Sequence, residues 1–166
     1  ATRQALLHHV ENVLTSSRQA SEMGIGREVV LKFTEQATMT LAQAQQLAQP
    51  IVEQDVVEAF LPGAAEYFFE HGRGPLFGTI RDGRLLSIAH SSRRTSEVCE
   101  LGIETLPEAR RQGYALAATI SWTHAILREN LVPIYSALAE NAPSLALADA
   151  AGYRIFARGI NITNMP

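Results

Sequence analysis

Arg110-Arg111-Gln112-Gly113-Tyr114-Ala115 stands between an alternating β-rich run that ends at Thr105 and a long stretch of helical periodicity. A strand, a basic glycine-bearing turn and a helix start are the parts of a phosphate site. The first amides of a helix have no intrahelical acceptor, and the macrodipole places partial positive charge on them. Gly113 lets the backbone approach a ligand, Ala115 keeps the first turn open, and Arg110 and Arg111 add full charge. The strand that feeds this turn carries two carboxylates. Glu100, Gly102 and Glu104 alternate, so they share one face unless a bulge intervenes. Either acid is a candidate proton acceptor. Gly102 would ease a departure from regular strand pairing.

These residues need elements to hold them. Residues 4–18 carry Leu6, Leu7, Val10, Val13 and Leu14 at helical spacing, and residues 16–26 read as a loop. A short strand is predicted at 28–33, a helix at 38–48 ended by Pro50, and short helices at 54–60 and 64–70 around Pro62-Gly63. Asp82-Gly83 lies between apolar runs at 76–80 and 84–89, a strong hairpin signal. With a polar turn at 92–96 and a strand at 97–105, this makes a three-stranded antiparallel meander. A long helix at 112–129 follows, with Leu116, Ile120, Thr123 and Leu127 on one face and Asn130 as C-terminal cap. A strand at 132–137, a helix at 143–151 opened by Asn141 and closed by Gly152, and a strand at 153–162 complete the chain. Repeats and low-complexity segments are absent from the sequence.

Arg110, Gly113 and Ala115 fill the defined positions of Arg/Gln-x-x-Gly-x-Gly/Ala, and the segment resembles the acyl-CoA-binding motif of the GNAT superfamily of N-acetyltransferases. A second segment, Asn141 to Tyr153, is similar to that family's Asn-x-x-Ser/Ala-x-x-Leu-Tyr-x-x-x-Gly-Phe/Tyr at Asn141, Ser144, Leu147, Gly152 and Tyr153. The β-β-β-α-β-α-β order from Gly72 matches the family's core. The resemblance implies an α/β (α+β) fold with a mixed central sheet, an antiparallel meander, splayed strands and flanking helices. It covers residues 65–160 as the acyl-CoA-binding core of a single domain spanning 1–166, with residues 1–60 matching less clearly. It also implies acetyl-CoA as cosubstrate, a small-molecule or peptide amine as acceptor, and homodimers as a common assembly.

By the same resemblance, Arg110, Arg111, Gln112, Gly113, Tyr114 and Ala115 would bind the diphosphate. Backbone groups of Ile103 and Thr105 would bind the pantetheine, Asn141 would bond the same arm, and Ser144 would contact the cofactor. A lysine-like amine is neutral in only roughly one molecule in a few thousand at pH 7, so a base is wanted. Glu100 is the first choice and Glu104 the second. A backbone amide at the end of this strand would polarise the thioester carbonyl. The strands ending at Thr105 and Ala137 would splay to admit the cofactor. One position departs from the pattern: Ala148 stands where the family often has the Tyr that protonates the thiolate. Tyr135 and Tyr153 are the alternative phenols, and a thiolate that leaves well needs less help.

Other residues weigh less. Cys99 beside Glu100 has no nearby His to make it a nucleophile, and as a lone cysteine it fits a reducing cytoplasm. His8-His9, His71, His90 and His124 lack metal-ligand spacing, so no metal is expected. His90 ends a central strand and is able to face the substrate. Phe68 and Phe69 either pack or line the acceptor pocket, Trp122 reads as core, and Arg93-Arg94 as a solvated hairpin tip. A net charge of -3 gives no sign of a nucleic-acid partner, and no apolar run or leader points to a membrane. The 46% hydrophobic and 19% charged composition suits a folded domain. Two other functions compete. One is a CoA-binding or regulatory module without catalysis. The other is an unrelated nucleotide binder, opposed by the lack of G-x-G-x-x-G and of a P-loop Lys-Ser/Thr.

Overall fold

The computed structural model describes residues 23–70 and 72–164, with side chains from 26 to 160. The helix expected at 4–18, His8-His9 and His71 lie outside the described residues. Seven strands form one sheet: β1 (Met23–Phe33), β2 (Gln49–Pro50), β3 (Phe77–Arg81), β4 (Arg84–Arg94), β5 (Val98–Thr105), β6 (Val132–Leu138) and β7 (Tyr153–Asn164). The helices are α1 (Leu41–Leu47), α2 (Gln54–Phe60), α3 (Ala65–Phe69), α4 (Tyr114–Arg128) and α5 (Ala142–Ala150). The strand order is β2-β3-β4-β5-β6-β1-β7. The mixed sheet with helices on it is the expected fold class.

Strands β3, β4 and β5 are the predicted meander, each antiparallel to the next. Strand β5 then meets β6 in parallel across the crossover helix α4. Strand β1 is longer than the expected 28–33 and lies in the far half of the sheet, antiparallel to both β6 and β7. A strand met early in the chain therefore closes the gap between two late ones. Its Val29 and Leu31 are buried, which anchors that half to the core. Thr40 caps α1 through a capping box with Gln43, which explains why that helix starts three residues later than expected.

Two apolar clusters form. The larger one gathers Val29, Leu31, Leu101, Ile120, Trp122, Tyr135 and Tyr153, under α4. The smaller one holds Ile51, Val57, Phe68, Leu76, Leu85 and Ile88, under α2 and α3. Alternation along β4 sends Ala89 and Ser91 to the first side and Ile88 and His90 to the second. Helix α4 is buried on a wider arc than its predicted stripe: Ala117 to Thr123 are all buried, while Leu127 is exposed. The reason is a second contact, since α1 packs on the side of α4 that a surface helix would show to water.

The polar stretch at 92–96 is not all turn. Strand β4 runs on to Arg94, and the reversal is confined to the residues around Thr95, whose N–H donates to Val98 O at 2.9 Å. The register slips between Ser91 and Arg93, where Ser92 is the extra residue. The bulge thus lies in β4, and β5 keeps its alternation.

Candidate active site

Strands β5 and β6 pair only at Val98–Val132, Cys99–Pro133 and Glu100–Ile134. Beyond Glu100 they part, while β5 stays on β4 and β6 stays on β1. The result is the expected splay: a slot whose apex is Glu100 and whose mouth is the turn before α4. Leu106 donates its N–H to Leu86 O at 3.0 Å, across β4. Strand alternation then turns the backbone groups of Leu101, Ile103 and Thr105 to the opposite edge, into the slot. Ile103 and Thr105 therefore turn main-chain donors and acceptors toward the slot.

At the mouth, Gly113 is the N-cap of α4, left-handed at φ 82°, and its helix has no side-chain cap. The first bond of the helix is Ala117 N–H to Gly113 O at 2.9 Å, so the N–H groups of Tyr114, Ala115 and Leu116 lack an intrahelical acceptor. Arg111 is also left-handed, at φ 60°. A Cβ added at Gly113 would find only Met39 Cε, at 3.8 Å, so the space before the helix is open. Arg110 and Arg111 are exposed, with no ion-pair partner among the described residues. Gln112 Nε2 donates to Glu108 O at 3.1 Å, which braces the turn instead of reaching into the slot.

At the apex everything is paired. Glu100 is buried and accepts from Arg93 Nε at 2.7 Å and Arg93 Nη2 at 3.0 Å, a two-pronged ion pair. Ser136 of β6 donates to Glu100 Oε1. The Glu100 carboxylate in turn raises the pKa of Arg93, which stays charged. Arg93 is thus no free hairpin tip but a strand residue facing Glu100 across β4 and β5. Arg94 is likewise paired, to Glu129. Glu104 lies four residues further along the same face, about 13 Å at strand spacing. Partial burial raises its carboxyl pKa, and it makes no ion pair among the described residues.

His90 lies across β5 at Gly102. A Cβ on Gly102 would stand 2.2 Å from His90 Nε2, so only glycine admits the ring there. The ring packs edge-on against Tyr67 and Phe68, with centroids 5.6 and 5.0 Å away. Burial lowers its pKa to about 4, so it is neutral at pH 7. Its Nδ1 has no hydrogen-bond partner among the described residues. Phe68 is fully buried and belongs to the core, while Tyr67 is exposed.

On the other face of β5, Cys99 is buried in the core under α4, where burial raises its thiol pKa. It points away from Glu100. Asn141 is the N-cap of α5, and its Oδ1 accepts from Ser144 N at 3.1 Å. Ser144 Oγ and Tyr135 Oη lie 2.8 Å apart. Tyr135 and Tyr153 both have phenol pKa values raised by burial. Tyr153 is spent in the core, with Thr123 Oγ1 at 2.6 Å from its hydroxyl. Ala148 is fully buried against the same cluster.

Arg93 was legible in principle. Its distance in sequence from Glu100 is that of partners across a tight reversal at 95–98. Ser136 carried no such signal, because β6 reaches the slot only through the α4 crossover.

A family model described as GNAT acetyltransferase matches residues 8–157. Solved structures share the fold. One is a GCN5-related N-acetyltransferase-like protein from Streptococcus suis, 18% identical, with TM-score 0.66, covering 96% of this chain and 68% of its own. Another is a GNAT-family acetyltransferase from Colwellia psychrerythraea, 17% identical, with TM-score 0.64 and coverage of 85% and 56%. An aminoglycoside N-acetyltransferase solved with CoA is 17% identical, with TM-score 0.53 and coverage of 64% and 90%. The chain spans 66% of the length of a Novosphingobium aromaticivorans relative and 56% of the Colwellia one. No curated protein matches the sequence.

Proposed function

We propose, since the chain belongs to the GNAT acetyltransferase family, that it takes acetyl-CoA as cosubstrate and transfers the acetyl group to an amine. One observation carries this reading: β5 and β6 part after Glu100 and Ile134, and the slot between them runs from the unpaired amides of α4 to a carboxylate. The diphosphate would sit on the N–H groups of Tyr114, Ala115 and Leu116, with Arg110 and Arg111 beside it. The pantetheine would lie along Ile103 and Thr105, hydrogen-bonded to main chain as an added strand would be. The thioester would then reach the apex.

There a neutral amine attacks the carbonyl carbon, a C–N bond forms, and the C–S bond breaks. The nitrogen proton passes to Glu100, directly or through water. Glu100 is preferred to Glu104 because it stands where the strands part, while Glu104 lies toward the mouth. The thiolate needs a proton. Tyr135 is the phenol placed for that role: it stands on β6, one wall of the slot, and its hydroxyl meets Ser144 at the start of α5. Tyr153, closed into the core with Thr123, does not suit it. The ion pair on Glu100 favours one second reading, a CoA-binding module whose acid is purely structural.

Calorimetry with CoA, followed by release of free thiol from acetyl-CoA in the presence of an amine panel, tests both. Binding with turnover supports the transferase. Binding without turnover supports the module. No binding of any CoA species removes both.

A further inference from the structure

Beside the apex lies a cleft of about 380 Å³ lined by Glu70, Arg73, Ser92, Arg93, Arg94 and Thr95, and Arg93 joins it to Glu100. Its three guanidinium groups are held differently. Arg94 is fixed on both sides, by Glu129 and by Gly74 O at 3.2 Å. Arg73 donates to Ser92 O and lies 4.3 Å over the Tyr67 ring, with only a loose contact to Glu70 at 3.5 Å. Arg93 spends Nε and Nη2 on Glu100, yet its side chain is 72% exposed, against 11% for Glu100. One cation thus reaches from the cleft to the candidate base; its Nη1 makes no hydrogen bond among the described residues, and Glu28 is the other acid near enough to act on it.

The guanidinium fork and the Ser136 hydroxyl take three of the roughly four lone-pair sites of Glu100, so the fork stands between its oxygens and an amine that comes from the cleft. Something has to draw the fork away. Resting on the transferase reading, we infer that the acceptor amine also carries an anionic group, a carboxylate or phosphate close to the nitrogen, which enters the arginine cleft and takes Arg93 from Glu100. The exchange trades one charge-assisted pair for another of the same kind, so it costs little. It frees the base only when the right acceptor is present. Arg73, pinned on Tyr67 at the cleft wall, supplies a second cation to the same anion. Without that anion Glu100 stays clamped, which also guards the thioester against water. An acceptor with no charge beyond its amine has nothing to offer Arg93.

The test pairs acceptors that differ only in this charge: amino acids against their amides, and amino-phosphonates as the phosphate arm. The whole chain and acetyl-CoA are used, and thiol release is followed. The acid should exceed its amide in kcat/KM by roughly 10- to 100-fold, the worth of a hydrogen bond to a charged partner. Arg93→Gln should raise KM for the acid and collapse that ratio toward one, and Arg93→Lys should restore part of it, since a point charge replaces the fork. CoA affinity in each variant, set at the far end of the slot, reports that the variant is folded. Amides used as well as acids, or a ratio untouched by Arg93→Gln, overturns the inference and leaves the transferase standing. CoA binding with no amine of either kind consumed overturns the transferase reading, and this one with it.

Discussion

The two ends of the slot are built on opposite plans. At the mouth the groups that would meet a ligand are main-chain N–H donors of Tyr114 to Leu116, without intrahelical acceptors and shaped by left-handed Arg111 and Gly113. At the apex they are side chains, and each already has a partner: Glu100 with Arg93 and Ser136. A backbone receptor cannot be rearranged without unwinding a helix, so it suits a group that never varies, such as a diphosphate. A side-chain cluster can exchange partners at small cost, which suits the step where one acceptor must be told from another. On the proposed reading, binding and selection are separated along about the length of one strand.

If that separation is real, substitutions should split cleanly between affinity and turnover. The largest effect belongs to Glu100→Gln, which should lower kcat by roughly 10²–10³-fold, the usual share of a general base, with CoA affinity nearly unchanged by calorimetry. Glu104→Gln should cost only a few-fold. Equal losses for the two acids would erase the assigned apex.

Next is Gly102→Ala, whose Cβ meets His90 Nε2 at 2.2 Å. Overpacking of this kind costs about 1–3 kcal/mol, read as a lower urea midpoint. Adding His90→Ala should recover part of it, and a purely additive double variant would show that the ring does not lie on Gly102.

His90 sets the third. Its folded pKa, about 4, is below the ordinary 6.5 because burial disfavours the cation. The unfolded chain therefore binds the extra proton first as pH falls. The stabilisation is complete above pH 6.5 and is lost between there and 4, by about 2 kcal/mol at pH 5. Denaturation curves at pH 5 and pH 7 measure it, and His90→Gln should flatten the dependence. An equally steep curve in that variant would move the effect to another group.

The smallest effect is at the mouth. Arg110→Ala should raise the CoA dissociation constant about five- to tenfold, in line with roughly 1 kcal/mol for an exposed charged contact, and leave kcat alone. A changed kcat with unchanged affinity would reverse the two ends.

Much of this was legible locally. Asp82-Gly83 marked its hairpin and Asn141 and Gly152 bounded α5, because turns and caps depend on a few adjacent residues, while α4 begins two residues later than the expected 112 because left-handed Gly113 caps it. Where the reading failed, distant packing had intervened. Helix α4 is buried beyond its apolar stripe because α1 covers it. Arg93 looked like a solvated tip because polar residues resemble a turn until a strand partner claims them.

The amino-acid order by itself determined the secondary elements from β3 onward, apart from the far end of β4 and the first residues of α4, together with the basic turn and the acids on one face of β5, since each follows from residue type and short-range spacing. Only the tertiary structure decided that β1 fills the gap between β6 and β7, that β5 and β6 part at Glu100, and that Arg93, Glu100 and Ser136 meet. Those contacts join residues from separate strands, and their closeness comes from sheet register and a helical crossover, neither of which leaves a mark in adjacent residues.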